Sequence, residues 1–525
     1  MRLSLKHHIV FLFALLIVFI AYVYNLHIMP LIADEPTRAI VSYEMYLNNS
    51  WFAPTINGEP YLNKPPLFNH WIGTWIHLFG GLNEFMLRLQ AIFFLFLSSI
   101  IVYIYGYHFF RWKVALLSAI GFLTCSRILF YDSTLGYIDP FFTFIILLQL
   151  LGSTRYYLIE NWLMFYLTIT LTSLIGYFLK GLPGIAFGVI TILSLYLWER
   201  QWKLLWTPYI LISIIFGTGV IYLYYFKINT LSISDSSSQI INQSLQRYEN
   251  ESILKSLTHL ITFPFQLVFN FSPWALLWLY LLIQYKYVIT KLSRHQMTLM
   301  VVSFSNLILY WMSTETRPRY LFMFVAIFFL VGYSIYLKHF YSGILNSLLH
   351  KSLLFIAPVL FTIPLFYWFG NRFDNVDNYL LNGIIISVSV MIAATILYLH
   401  HKKWSVWTIT FTLLIYLKII LQGMFLPLRV YESPESQYKK WGYEIASIVQ
   451  DNHVQITQYT PINQDISFYI IQKTNIPLQV VPIKTLSTEY VLTSNVKDLN
   501  QPFEILRTYP LPFENYKMYL IKIQK

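Results

Sequence analysis

The sequence predicts a polytopic all-α membrane protein with about thirteen transmembrane helices, interfacial helices on the outer face, and a small C-terminal soluble α/β domain. Three observations predict it. Of the 525 residues, 57% are hydrophobic and only 11% are charged, against roughly 25% charged in an ordinary soluble domain. So little charge could not cover the surface of a water-soluble enzyme. Apolar runs long enough to cross a bilayer recur along the chain as far as about residue 430, and beyond that point polar residues return. The expected domains are therefore a transmembrane domain over 1–430 and an outer-face soluble domain over 431–525.

Taken in order, the candidate spans begin near residues 9, 89, 114, 141, 163, 182, 205, 271, 297, 320, 352, 379 and 404. The first follows Arg2 and Lys6 and could pass for a signal peptide ending near Ala33. Leu31 is bulky where such a cleavage site prefers a small residue, so an uncleaved first helix is the expectation. Loop charges then set the orientation. One side carries Arg111 and Lys113, Arg155, Arg200 and Lys203, Lys291 and Arg294, Lys338 and Lys351, and Lys402 and Lys403. The other carries acidic and mixed loops: Asp34 to Arg88, Asp132 to Asp139, Asp235 to Lys255, Glu315 to Arg319, and Arg372 to Asp377. By the positive-inside rule the N-terminus is cytoplasmic, and an odd number of spans leaves the C-terminal domain outside.

The net charge of +12 is thus orientation information carried by short loops, and no nucleic-acid partner is expected. The single cysteine, Cys125, lies within an apolar run and excludes a disulfide framework. Two outer loops are long. That at about 29–88 holds Trp51, Trp71, Trp75 and Tyr61 and reads as short helices at the membrane interface. That at about 227–270 opens on a Ser-rich stretch from Ser232 to Ser238. In the tail, a helix is expected over Glu435–Val449, with strands over Val454–Thr457, Ile466–Ile471, Leu478–Val481, Tyr490–Leu492 and Met518–Ile523.

The chemistry concentrates in Ala33-Asp34-Glu35-Pro36-Thr37-Arg38 and Tyr61-Leu62-Asn63-Lys64-Pro65-Pro66-Leu67. Two adjacent carboxylates leave a membrane span, and ionisable groups at that boundary are functional candidates. A purely structural reading has Pro36 opening a helix whose N-terminus the acids favour, which leaves Asp34 without a task. Asp139 precedes Pro140 at the start of a span, where an Asp-Pro pair also suits a helix cap. Asp132 reads as a solvated turn residue. Lys180, in Leu179-Lys180-Gly181-Leu182-Pro183-Gly184, joins Arg38, Lys64, Arg317 and Arg319 as cations on the outer side, against the positive-inside trend. One alone would be a snorkelling residue; several suggest an anionic ligand, and phosphate is the natural one. A carboxylate can act as general base while cations stabilise a departing phosphate.

At these residues the sequence resembles the dolichyl-phosphate-mannose–protein mannosyltransferase-like membrane glycosyltransferases, and within them the bacterial branch that holds the lipid A aminoarabinose transferase. The resemblance rests on Asp34-Glu35 and Tyr61 to Leu67, and extends through Asp139, Lys180-Gly181, Gln246-Arg247-Tyr248 and Pro318-Arg319-Tyr320. It covers roughly residues 1–330, the later helices and tail fitting in layout alone. It implies a GT-C-type fold and a polyprenyl-phosphate-linked sugar donor. It implies Asp34 as principal catalytic carboxylate, with Glu35 beside it and Asp139 in support. Arg38, Lys64, Lys180, Arg247 and Arg319 would contact phosphate, and Tyr61 and Tyr320 would line the cavity. The family's usual Glu before Lys-Pro-Pro is Asn63 here, and in the aminoarabinose transferase that Glu helps to bind a metal. Asn is a poorer ligand, so no cofactor is assigned and a divalent metal stays a disfavoured alternative. Asn63 and His259 are weak metal-ligand candidates at most.

The expected function is an inverting, integral-membrane glycosyltransferase of the bacterial inner membrane. It would move a sugar from a polyprenyl phosphate to a lipid A-like, glycan or protein acceptor on the periplasmic face. The alternative is a transporter or flippase of lipid-linked sugars, which would need the cations but no base, and would tend to show repeat symmetry and mid-membrane charges.

Overall fold

The structure is a computed structural model. It describes residues 5–61, 63–228, 253–340, 388–389, 392, 395, 405–452, 454–481, 488–497, 499, 501–511 and 516–524. Among these residues eight helices are long and apolar enough to cross a membrane. A ninth candidate is the pair Trp112–Thr124 and Ser126–Thr134, bent by 44°. The chain is an integral membrane protein.

The eight are Leu5–Val23, Glu84–Phe109, Asp139–Leu158, Trp162–Lys180, Leu182–Glu199, Pro208–Phe226, Pro318–His339 and Val406–Tyr431. Each coincides with an expected run, and the bent pair covers the one expected near 114. The run near 271 differs. It forms two short helices, Leu276–Ile283 and Tyr285–Lys291, which meet at Gln284, and neither alone is long enough to span. The run near 297 is the Arg294–Trp311 helix, opened by a capping box between Ser293 and Gln296. Its buried face carries Gln296, Ser303 and Asn306, and that polarity keeps it apart from the eight. The expected spans near 352 and 379 lie outside the described residues.

The chain divides into two compact units. The first comprises Met1–Leu26, Ala91–Tyr225 and Ile241–Phe425; the second comprises His27–Gln90, Phe226–Ile240 and Leu426–Lys525. The core of the first unit is the Phe322–His339 helix, buried from Phe322 through Tyr336. A helix apolar on every side belongs inside a bundle, and this one packs against Trp112–Thr124, Asp139–Leu158 and Arg294–Trp311.

In lipid, burying apolar surface offers little advantage, so close packing must hold helices together. The hairpin of Trp162–Lys180 and Leu182–Glu199 shows how. Gly184 lies so close to Gly176 that a Cβ on it would overlap the Gly176 backbone. Gly181 turns the chain between the two helices with φ +79°, a region glycine enters without steric cost. Its N–H closes the first helix on the Tyr177 carbonyl at 2.7 Å. Lys180 is thereby fixed at the last position of that helix.

In the second unit the first long loop folds into the helix Glu35–Leu47, a hairpin of β1 (Thr55–Ile56) and β2 (Glu59–Pro60), and the helix Leu67–Phe79. Glu44 pins the hairpin. Its carboxylate accepts from the Thr55 hydroxyl at 2.6 Å and from the N–H groups of Asn57 at 2.6 Å and Gly58 at 3.3 Å. The tail contributes β3 (Ile456–Gln458), β4 (Tyr490–Thr493), β5 (Phe503–Leu511) and β6 (Tyr516–Ile523) in the order β3-β4-β6-β5. β3 runs parallel to β4; the other pairs are antiparallel. Val480 N–H donates to Asn57 O at 3.1 Å and ties the tail to the hairpin.

The expected tail helix is present as Pro434–Asp451, with Ser433 capping it. Ile466–Ile471, expected as a strand, is instead the middle of a helix, Gln464–Thr474. Asn463 caps it by accepting from the N–H groups of Asp465 and Ile466, and Asp465 in the first turn suits the helix dipole. Packing completes the override of β propensity: Gly442 lets Pro434–Asp451 approach so closely that a Cβ there would meet Tyr469 Cβ at 2.7 Å. The run Leu478–Val481 forms only a bridge, Gln458 to Val480. β5 was not anticipated. Pro510 within it fits an edge strand, where a missing N–H costs no ladder bond.

Candidate active site

In the first unit, the helix that begins at Asp139 carries Pro140 in its first turn, and the acid sits where the helix dipole favours negative charge. Asp139 is buried, its side chain 4% exposed. One carboxylate oxygen pairs with Lys180 Nζ, and the other lies 3.0 Å from Arg319 Nε. Lys180 Nζ also faces the rings of Tyr320 at 4.5 Å and Phe142 at 4.9 Å. Arg319 lies over Tyr137 at 4.1 Å and is 5.7 Å from the Tyr320 ring. Four predicted residues, Asp139, Lys180, Arg319 and Tyr320, thus form one buried cluster of two cations and one acid. Its excess positive charge, walled by aromatic faces, is suited to a phosphate.

Asp132 is not a solvated turn residue. It is 2% exposed and ion-paired to Arg127 at 2.7 Å, and Arg127 lies 4.0 Å over the Tyr131 ring. Burial requires a partner for a carboxylate, and the arginine five positions earlier was the available signal. Lys418 was also missed. It is fully buried and donates to Ser133 Oγ at 2.9 Å. A lysine inside an apolar run was the mark that could have found it.

The second unit holds the other predicted acids. Asp34 is exposed and occupies the cap position of the Glu35–Leu47 helix, yet its side chain makes no capping hydrogen bond. Helix capping therefore does not explain it. Ala33 before it has φ +56°, a left-handed conformation that costs a non-glycine residue about 1 kcal/mol. Glu35 is fully buried and accepts from Arg88 Nε and Nη2, each at 2.9 Å, and from Ile32 N–H at 3.0 Å. Arg88 also donates to Met29 O at 2.6 Å and Pro30 O at 2.7 Å. One guanidinium thus ties the backbone before the turn that presents Asp34 to the Glu35 side chain after it.

One helical turn past Asp34, Arg38 is 6% exposed. Its Nη1 is buried without a hydrogen-bond partner, and its Cζ lies 5.7 Å from the Tyr61 ring. Burial pushes the Tyr61 phenol above its ordinary value, while Arg38 pulls it down and Asp34 pushes it up. Arg38 thus stands beside Tyr61, one helical turn from Asp34. Lys64 is half-buried and Asn63 exposed on the segment that leads into the Leu67–Phe79 helix. Arg247 lies outside the described residues.

Among the described residues no group of three or more His, Cys, Asp or Glu side chains could hold a metal. His259 lies on the helix Ile253–Asn270, its ring edge-on to Phe263 at 5.4 Å. It lines a surface groove of about 430 Å³ with Lys255, Thr258, Thr262, Gln266 and Thr314, which offers hydroxyl and amide groups but no carboxylate.

A solved structure, ArnT from Cupriavidus metallidurans bound to undecaprenyl phosphate, superposes on 99% of this chain and 98% of its own, with TM-score 0.69 at 15% identity. The chain has the ArnT fold. The apo structure of the same ArnT agrees, with TM-score 0.67 at 14% identity over 97% of each chain. No family model matches the chain. Sequence relatives give the same direction as ArnT. The undecaprenyl phosphate-alpha-4-amino-4-deoxy-L-arabinose arabinosyl transferase of Erwinia tasmaniensis is 31% identical over 193 residues, 34% of this chain. That of Enterobacter sp. is 29% identical over 190 residues. The match spans 33% of the length of each of these two relatives. The resemblance to the aminoarabinose transferase branch is borne out on both counts.

Proposed function

We propose that this protein is a glycosyltransferase that takes a sugar from a polyprenyl phosphate and passes it to a lipid A-like acceptor, on the outer face of a bacterial inner membrane with the N-terminus cytoplasmic. The observation that carries the reading is an exposed carboxylate, Asp34, presented at the head of the Glu35–Leu47 helix by a clamped turn, in a chain with the ArnT fold. The Asp139, Lys180 and Arg319 cluster supplies the positive charge that a departing phosphate needs.

In the proposed reaction an acceptor oxygen attacks the anomeric carbon as the bond from that carbon to the donor phosphate oxygen breaks. The electron pair leaves with polyprenyl phosphate, and a single displacement inverts the anomeric configuration. Asp34 takes the proton of a hydroxyl acceptor, or orients an acceptor that is already a phosphate. Lys180 and Arg319, held by Asp139, stabilise the charge that develops on the leaving group. Arg38, whose buried Nη1 lacks a partner, and Lys64 bind phosphate oxygens, with Tyr61 and Tyr320 as walls. Glu35 acts through Arg88 to place Asp34. The fold match supports transfer over transport, since the transport reading has no observation of its own.

The test is release of polyprenyl phosphate by purified protein in vesicles, given a panel of polyprenyl-phosphate sugars and lipid A-like acceptors. Asp34→Asn should lower turnover by about 10²-fold or more. Full turnover in that variant would remove Asp34 from the mechanism.

A further inference from the structure

We infer that Tyr469, in the C-terminal domain, is a positioning residue for Asp34, and that the domain serves to hold the first outer loop in its reactive geometry. The inference rests on the proposed role of Asp34 and deepens it.

The geometry begins at Leu31, three residues before Asp34. Its N–H donates to the Tyr469 hydroxyl at 2.9 Å, across 438 positions of sequence. The same hydroxyl donates to Glu84 Oε1 at 3.0 Å. Glu84 Oε1 also pairs with Lys439 Nζ at 2.5 Å, so the relay ends on a neutralised acid. Tyr469 is fully buried. Burial, with the adjacent Glu84 carboxylate adding to it, pushes its phenol far above the ordinary value, so it stays protonated and remains a donor.

The contacts around the relay point the same way. Gln472, on the same helix, donates to Leu82 O at 2.7 Å. At the near end of that helix Gln464 pairs with Thr37, three residues past Asp34. The Arg88 clamp grips Met29, Pro30 and Glu35 but makes no bond to the Leu31 N–H. Tyr469 supplies that one. A buried amide left without an acceptor would have to find another partner, and the turn would move to provide it.

A reacting carboxylate misplaced by a fraction of an ångström loses rate, while ground-state binding elsewhere is kept. Tyr469→Phe should therefore lower kcat about tenfold, with KM for the polyprenyl-phosphate sugar within about twofold of wild type. Thr493→Val removes a buried hydroxyl that donates to Asn495 O at 3.0 Å within the tail. It serves as a structural control and should leave turnover near wild type.

Four proteins decide it: wild type, Tyr469→Phe, Asp34→Asn and the double variant. If Tyr469 acts through Asp34, the double variant turns over no more slowly than Asp34→Asn alone. Losses that multiply, wild-type kcat in Tyr469→Phe, or an equal loss in Thr493→Val would each overturn the inference. Amide exchange over residues 30–35 separates it from the reading it rests on. Should Asp34→Asn keep full turnover, the catalytic role of Asp34 fails. Faster exchange in Tyr469→Phe would then still support the hold, and unchanged exchange would overturn that too.

Discussion

Arg88→Met should be among the most damaging single changes outside the residues proposed to touch substrate. The guanidinium is 1% exposed, and its Glu35 partner 0%. It donates twice to Glu35 and also to Met29 O and Pro30 O. Removing it takes the paired cation from a buried carboxylate that also accepts from the Ile32 N–H, and breaking a buried pair from one side costs about 3–5 kcal/mol. The pair Lys255–Glu315 is the contrast. Its groups are 57% and 56% exposed and 3.4 Å apart, and such a pair contributes about 0–1 kcal/mol. Thermal and denaturant unfolding of purified protein should therefore separate Arg88→Met from Lys255→Met by several kcal/mol. The double variant Arg88→Met/Glu35→Leu removes the stranded charge and should recover part of the loss, because an apolar pair can replace a buried ion pair at little cost. Recovery would stop short of wild type, since the Met29 and Pro30 carbonyls remain unpaired at about 1–3 kcal/mol each. Turnover should stay low in the double variant even as stability returns, because the turn carrying Asp34 has lost its clamp. The reasoning fails if Arg88→Met is no worse than Lys255→Met, or if the double variant is as unstable as the single.

Other predictions concern charge, packing and pH. Lys180→Met and Arg319→Met should each lower turnover by about 10²-fold, with Lys180→Arg retaining more than Lys180→Met; equal loss in those two Lys180 variants would show that charge is not what matters. Gly184→Leu should part the Trp162–Lys180 hairpin and cost about 1–3 kcal/mol or more, seen as a fall in unfolding temperature; an unchanged temperature would contradict the close approach. Burial raises the Glu44 carboxyl above the ordinary glutamate value, against the bonds from Thr55, Gly58 and Asn57 that lower it. The folded protein then holds that proton more readily than the unfolded chain, a contribution present below the ordinary value and lost as pH rises through the raised one. Wild type should therefore lose stability relative to Glu44→Gln as pH climbs from about 4 towards neutrality, and a difference independent of pH would count against the assignment.

Spans were the most legible part of this molecule, because a bilayer demands about 20 apolar residues in a row and little else imitates that. Where polar groups enter, the pattern misleads. Gln284 splits the run near 271 into two short helices. Ile466 to Ile471 is β-branched enough to suggest a strand, and only Asn463, Asp465 and the contact with Gly442 make it a helix. Asp139, Lys180, Arg319 and Tyr320 were legible as isolated residues with the right chemistry. Their assembly was not, because a cluster built from three separate helix ends leaves no spacing pattern. Glu35 stands next to Asp34 in sequence yet is buried against Arg88. Adjacent residues on a helix face different ways, and adjacency could not say which acid faces out. Tyr469 gave no signal at all, being one tyrosine among 41.

The bond between Leu31 and Tyr469 also sets an order of events during synthesis. A ribosome finishes the Asp34 loop early, and the group that holds its turn is made only after nearly the whole membrane portion has been inserted. Under the proposed role of Tyr469, a chain not yet extended to that residue would turn over more slowly than one in which the bond to Leu31 has formed.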